Sequence, residues 1–320
     1  MAKFRKNHSS QSTNGEKRTG SLFQGNKMNV FRLIIGLIFI FIVLYLLSQI
    51  KIDTWGDSQS AHQEQDVTLS DEVIDGAAKS FLPESTTGEV IKHKYYTLSY
   101  SEEHEQAEWV AYKLTEENLR KPKVKRARKF NPDKSVKGIS AYHKDYTHSG
   151  YTRGHMAPAG DMNFNTEAMR ESFYMSNMSP QVKELNGGIW RELEETVRDW
   201  AYDNDELYIV SGPVLADGHI IKKIGRNKVS VPDMFYKIIL DIKKPEQKAI
   251  AFLMPNERSE RKIQEYAVSI DEVEELVGIN FFADFLDPDV EAKLEAMNST
   301  KKWKFDNSKY KKRIKKWNNF

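Results

Sequence analysis

The feature that most constrains this chain is Leu33–Ile50, a run of 18 residues without a charge. As a helix rising 1.5 Å per residue it is about 27 Å long, close to the roughly 30 Å hydrocarbon core of a bilayer. Its flanks differ in sign. Lys3, Arg5, Lys6, Lys17, Arg18, Lys27 and Arg32 precede it, against the single acid Glu16, whereas Asp53, Asp57, Glu64, Asp66, Asp71, Glu72 and Asp75 follow. By the positive-inside rule, residues 1–32 stay in the cytoplasm, 33–50 span the membrane once, and the rest lies in the periplasm or outside the cell. A cleaved signal peptide is the competing reading. The long basic segment, an apolar run above the usual 7–15 residues, and the lack of a small-x-small site beyond Ser48 favour a retained anchor.

Residues 51–90 are polar and acidic, with little periodicity, and read as a tether. From Lys94 the pattern changes. Tyr95–Tyr100, Trp109–Leu114, Leu207–Ser211, Phe235–Asp241 and Ala249–Leu253 are aromatic and β-branched and predict strands, and Asp217-Gly218 predicts a turn. Ile189, Leu193, Val197 and Trp200 fall on one helical face and predict a helix over Gly187–Tyr202. Ser269, with Glu272 three residues on, predicts a capped helix running to Val277. The mixture implies an α+β domain over 91–297, and 298–320 forms a tail. There are no internal repeats. With no cysteine, disulfides, thiolate metal sites and cysteine nucleophiles are excluded, so any metal must sit on nitrogen and oxygen. The 48 basic residues nearly cancel the 46 acidic ones, so net charge does not mark a polyanion binder.

Two segments carry chemistry. In Thr152-Arg153-Gly154-His155-Met156-Ala157-Pro158 the histidine occupies a loop-like Gly/Pro setting, where a neutral imidazole is able to take a proton from water. Arg153 is placed to meet phosphate charge. On spacing alone, a surface histidine beside a solvated arginine explains this segment equally well. In the second segment, Asn186 and Glu194 would project from one side of a helix, about 12 Å apart along its axis. An amide oxygen suits Mg²⁺, though a helix cap and a solvated carboxylate fit the same spacing.

Together, Arg-Gly-His-x-Ala-Pro at 153–158 and Asn-x-x-Pro-Gln-x-x-x-x-Asn-x-Gly-x-Trp-x-x-Leu-Glu at 177–194 resemble the DNA/RNA non-specific endonuclease family. This is the ββα-metal group that includes endonuclease G and secreted bacterial sugar-non-specific nucleases. The likeness extends over about 94–297, including Val210-Ser211-Gly212-Pro213 and Val231-Pro232-Asp233-Met234-Phe235-Tyr236-Lys237. It implies a ββα-metal nuclease domain with a central mixed or antiparallel sheet flanked by helices. The resemblance makes His155 the general base and Asn186 the direct ligand of Mg²⁺, with Mn²⁺ as the alternative ion. It gives Glu194 the metal's water shell, puts Asn177 in the site and Arg153 on the phosphate, and assigns a further arginine to Arg128, with Arg126 as the weaker match. Implied substrates are DNA and also RNA, met through the backbone, and a homodimer is compatible. Thr152 departs from the usual aspartate.

The tail Lys301–Phe320 holds eight lysines and Arg313 against Asp306, interleaved with Trp303, Phe305, Tyr310 and Trp317. It reads equally as a phosphate-binding segment, as a solubilising tail, or as a helix packed through its aromatics. The rival to an enzyme is a non-catalytic, membrane-tethered nucleic-acid-binding protein. A metal-dependent phosphodiesterase of small molecules or lipids is a third reading.

Overall fold

The computed structural model describes residues 80–86, 88–138 and 140–318. The expected span Leu33–Ile50, with its flanks, lies outside the described residues. Eleven strands are present among those described: β1 (Glu89–Lys92), β2 (Thr97–Ser101), β3 (Gln106–Thr115), β4 (Thr152–His155), β5 (Met178–Gln181), β6 (Glu206–Pro213), β7 (Ile220–Ile224), β8 (Val229–Pro232), β9 (Met234–Asp241), β10 (Lys248–Pro255) and β11 (Ala267–Val268). Seven form one sheet in the order β1-β2-β3-β6-β9-β10-β11. Every neighbouring pair in it is antiparallel, so the α+β class stands and the sheet is not mixed. The pairs β4–β5 and β7–β8 stand apart from it.

Both faces of the large sheet are covered. Leu207 and Ile209 of β6, Phe235 and Ile239 of β9, and Ile250 and Phe252 of β10 share a core with Trp190, Leu193, Val197 and Trp200. The last four lie on the helix Trp190–Asn204. The alternate residues Val210, Ile238, Leu240, Ala251 and Leu253 pack on Ile270, Val273, Phe281, Val290 and Leu294. Side chains of a strand alternate between faces, so one set of strands builds two cores. Phe81 joins the second core, its ring 5.1 Å from Tyr208, so packing begins ten residues ahead of the domain boundary expected at 91.

Six of the helices number as follows: α1 (Glu116–Arg120), α2 (His143–Tyr146), α3 (Thr166–Glu171), α4 (Trp190–Asn204), α5 (Ile270–Val277) and α6 (Pro288–Glu295). Helix α5 follows its capping signal: Ser269 Oγ accepts from Glu272 N–H at 3.1 Å, and Gly278 ends the helix at φ +69°. The expected helix from Gly187 begins instead at Trp190. It is preceded by a wide turn, Leu185–Ile189, in which Gly188 is non-helical at φ −105°, ψ −111°. A Cβ at Gly188 would stand 2.9 Å from Asn318 Oδ1, so the break sits where the C-terminal segment closes on the turn.

That segment is packed. Helix α7 (Asn307–Lys312) runs into a last turn, Arg313–Trp317. Trp303 and Phe305 lie 4.6 and 5.2 Å from Trp200, whose Nε1 donates to the Lys304 carbonyl. Arg313 is fully buried; its Nε donates to Glu192 at 2.6 Å and its other nitrogens donate to the Ser259 and Arg261 carbonyls. Of the three readings of the tail, free solubilising chain is the one this packing removes.

Candidate active site

The two motif segments pair as antiparallel strands, with His155 opposite Met178 and Gly154 opposite Ser179. The loop expected around His155 is therefore a strand end. Gly154 is required there, because a Cβ would meet the Gln181 side chain at 2.2 Å. The pair is tied to the large sheet by side chains. Gln106 on β3 donates to the Ser230 carbonyl and accepts from Ser179. Ser211 on β6 donates to the Met156 carbonyl at 2.8 Å. Asn256 donates to the Pro180 and Pro232 carbonyls and accepts from Val182 N–H. Strand β4 thus delivers His155, the turn after β5 delivers Asn186, and α4 delivers Glu194: a β-β-α arrangement converging on one cleft.

That cleft, about 340 Å³, is lined by Arg126, His155, Pro158, Ala159, Gly160, Asn186, Arg191, Glu194, Glu195 and Arg198. The His155 ring is held by Phe173, 4.8 Å away, and Phe130, 5.9 Å away. Burial, assisted by the Arg126 charge, pushes its pKa down to about 3, so the imidazole is neutral across the physiological range. Among the described residues its Nε2 finds no hydrogen-bond partner. Burial pushes the Glu194 carboxyl the other way, up to about 7, against the pull of Arg198 and Lys237.

Asn186 is oriented by Thr152. The Thr152 hydroxyl donates its single proton to the Gln181 carbonyl at 2.8 Å. Its oxygen is then an acceptor, filled by Asn186 Nδ2 at 2.9 Å. The amide is thereby committed by its donor end, and its carbonyl oxygen is the end left for a ligand. The donor set fits a hard divalent cation: an oriented amide oxygen and a carboxylate line the same cleft, with no sulfur in its lining and room for water. Asp271, Glu274 and Glu295 also bring ligand atoms within 4.8 Å of one another, but they belong to α5 and α6 on the other side of the sheet and line no part of this cleft.

Three residues stand differently from their sequence reading. Arg128 is exposed and does not line the cleft; Arg126 does, its guanidinium 5.1 Å over the Phe173 ring. The chain around them has no regular secondary structure, so spacing alone did not separate the two. Arg153 is not among the cleft-lining residues; its Nη2 donates to the His143 carbonyl at 2.7 Å and to Thr147, and its plane lies over Phe130 and Tyr146. Asn177 is fully buried and fully used: it accepts from Ala157 N–H and donates to the Ala157 and Ser172 carbonyls. It holds the bend after His155 and does not reach the cleft.

Other residues of the site were missed. Arg191, Glu195 and Arg198 recur with the expected Glu194 at i, i+4, i+7 and i+3 on α4, a spacing that marks one helix face. Arg198 pairs with Asp161 at 2.7 Å, and Asp161 also accepts from the Tyr112 hydroxyl. Beneath them Lys237, 1% exposed, sits between Phe235 and Ile239 on the cleft side of β9, its Nζ 5.1 Å over the Trp190 ring and without a hydrogen-bond partner among the described residues. Burial lowers its pKa to about 8, against the Glu194 and Asp161 charges.

Comparison with known proteins bears on this cleft. Residues 76–288 match the family model described as DNA/RNA non-specific endonuclease. The mitochondrial nuclease EXOG of Danio rerio is 35% identical over 238 residues, 69% of this chain and 68% of that protein. Human EXOG is 34% identical over 58% of this chain and 55% of its own length, so this chain spans little more than half of that relative. Human mitochondrial endonuclease G is 34% identical over 60% of this chain and 68% of its own length. The solved structure of the EndoG/EndoGI complex superposes with a TM-score of 0.58 at 32% identity, covering 62% of this chain and 86% of the matched one.

Proposed function

The chain belongs to the DNA/RNA non-specific endonuclease family, and from that premise we propose that it is a metal-dependent endonuclease hydrolysing DNA and RNA without sequence preference. One observation carries the reading: a neutral, unpartnered imidazole, an oriented amide oxygen, a carboxylate and three arginines line the same cleft. His155 acts as general base, taking a proton from the attacking water. Asn186 would hold a divalent cation directly, with Glu194 ordering the water around it. When bound, that cation supplies positive charge to the phosphate and the leaving oxygen. Arg126 takes the phosphate role first considered for Arg128, because it is the arginine whose charge reaches both His155 and Glu194. Arg153 and Asn177 are positioning residues: one fixes β4 to α2, the other fixes the bend that follows His155. Each role assigned here is to the phosphate or its attacking water and none to a base, which supports sequence tolerance.

The anchor Leu33–Ile50 and the sign change around it support a nuclease domain displayed outside the cytoplasm, away from the cell's own DNA. Digestion of plasmid and RNA by the full chain in detergent, with Mg²⁺, Mn²⁺ or a chelator, tests the activity. Binding without cutting under every metal condition would replace it with the tethered binding protein.

A further inference from the structure

The basic, aromatic segment 301–317 is the sequence feature that hydrolysis leaves unused. Its inner side is spent on packing. Lys309 donates to the Glu195 carbonyl at 2.6 Å and pairs with Asp199, Arg313 is buried against Glu192, and Trp317 is 7% exposed. Its outer side is a strip of lysine: Lys311, Lys312, Lys315 and Lys316 are all exposed. Arg313 and Trp317, which alternate with them along the chain, are buried on the other side.

The strip adjoins the cleft. The Arg191 guanidinium lies 4.2 Å over the Trp317 ring, and Lys312 Nζ lies 4.6 Å over the same ring. Both reach for Glu195, at 3.1 and 3.9 Å. Arg191 and Glu195 are themselves cleft-lining residues. Two cations thus share one carboxylate at the rim, and positive charge is left over. A polyanion leaving the cleft past Arg191 meets Lys312 next.

We infer that Lys311, Lys312 and Lys316, with Arg191, form a phosphate-binding strip that continues the catalytic cleft and holds nucleic-acid backbone beyond the scissile bond. The inference rests on the endonuclease reading of the cleft. It makes the tail both a packed element and a substrate contact, joined through Trp317.

The test measures DNA binding by the full chain carrying H155A, which holds substrate uncut, with and without K311Q/K312Q/K316Q. On a duplex of about 30 base pairs the triple change should lower the log–log salt slope by up to about 2.7, about 0.9 per lost contact. On a duplex of about 6 base pairs, roughly 20 Å at 3.4 Å per step, the slope should fall by less, because fewer of its phosphates reach past the rim. An equal slope on the long duplex overturns the strip, as do equal losses on both lengths. If the triple variant misfolds, K311Q/K316Q leaves Lys312 on Trp317 and should still lower the long-duplex slope by up to about 1.8. Loss of binding to anionic phospholipid vesicles with the DNA slope intact would make the strip a membrane contact and also overturn it. Plasmid cleavage by the unmodified chain runs in parallel: absent cleavage fails the endonuclease reading, whereas an unchanged slope beside normal cleavage fails the strip alone.

Discussion

The two faces of the seven-stranded sheet are made by the same strands yet hold opposite chemistry. Under α5 and α6, strands β9 and β10 present Ile238, Leu240, Ala251 and Leu253 to an apolar layer. Under α4, strand β9 interrupts Phe235 and Ile239 with Lys237, and the charges of Glu194, Asp161 and Arg198 gather above it. Burying such charges costs several kcal/mol each before pairing offsets it. The difference teaches a division of labour within single strands: alternate residues of β9 stabilise one core and tune the electrostatics of the other.

The division is broken or sharpened first by a pair of substitutions of similar size. His155→Ala should lower cleavage by roughly 10²–10⁴ while substrate binding and thermal stability hold, and added Mg²⁺ should not restore it. Phe281→Ala, in the apolar layer, should cost about 3–5 kcal/mol in denaturant unfolding and leave kcat per folded molecule unchanged. A large fall in kcat for the second variant would mean that the faces are coupled.

A smaller effect is expected at Thr152. Thr152→Val keeps the shape and removes the acceptor for Asn186, so Mg²⁺ affinity, measured by calorimetry, should fall by about 10–100-fold. Thr152→Ser should restore it. Equal affinity in the valine variant would show that the amide is held by something else.

Lys237→Met should act on the cleft and spare the fold. Without the lysine charge the Glu194 carboxyl rises further, so more Mg²⁺ is needed at pH 7, by about tenfold per pKa unit, while the unfolding midpoint holds or rises. Destabilisation with an unchanged metal requirement would assign Lys237 to the fold instead.

The smallest effect is in the pH profile, where the two cleft groups carry opposite signs. His155 is depressed to about 3 and stays a free base as pH falls through 6.5. Glu194 is raised to about 7 and takes a proton as pH falls through that value. At limiting Mg²⁺ the rate should therefore drop below pH 7; at saturating Mg²⁺ it should persist to well below 6.5. A drop centred at 6.5 under both conditions would return the titration to an ordinary histidine.

The apolar face was the more legible in sequence. All five expected strands lie in the large sheet, because β-branched and aromatic runs buried on both sides mark themselves. Strands β4 and β5 were not read, since Gly154 and Pro180 disguise them; their pairing is set by Gln106, Ser211 and Asn256, which are distant in sequence. His155, Asn186 and Glu194 were singled out on motif order and line one cleft, whereas Arg126 and Arg128 share a context that only the fold separates. Asn177 shows what a motif position alone does not reveal: this polar residue spends its hydrogen bonds on the backbone around Ala157 and Ser172.

The contact between Asn318 and the Gly188 turn has a consequence in the order of synthesis. The turn that presents Asn186 leaves the ribosome well before the segment that closes on it, and Arg313 cannot bridge Glu192 to the 259–261 backbone until that segment has emerged. A nascent chain therefore carries the Asn186 turn without its clamp until its last residues have been added, and the geometry of the cleft is among the last parts of the molecule to be fixed.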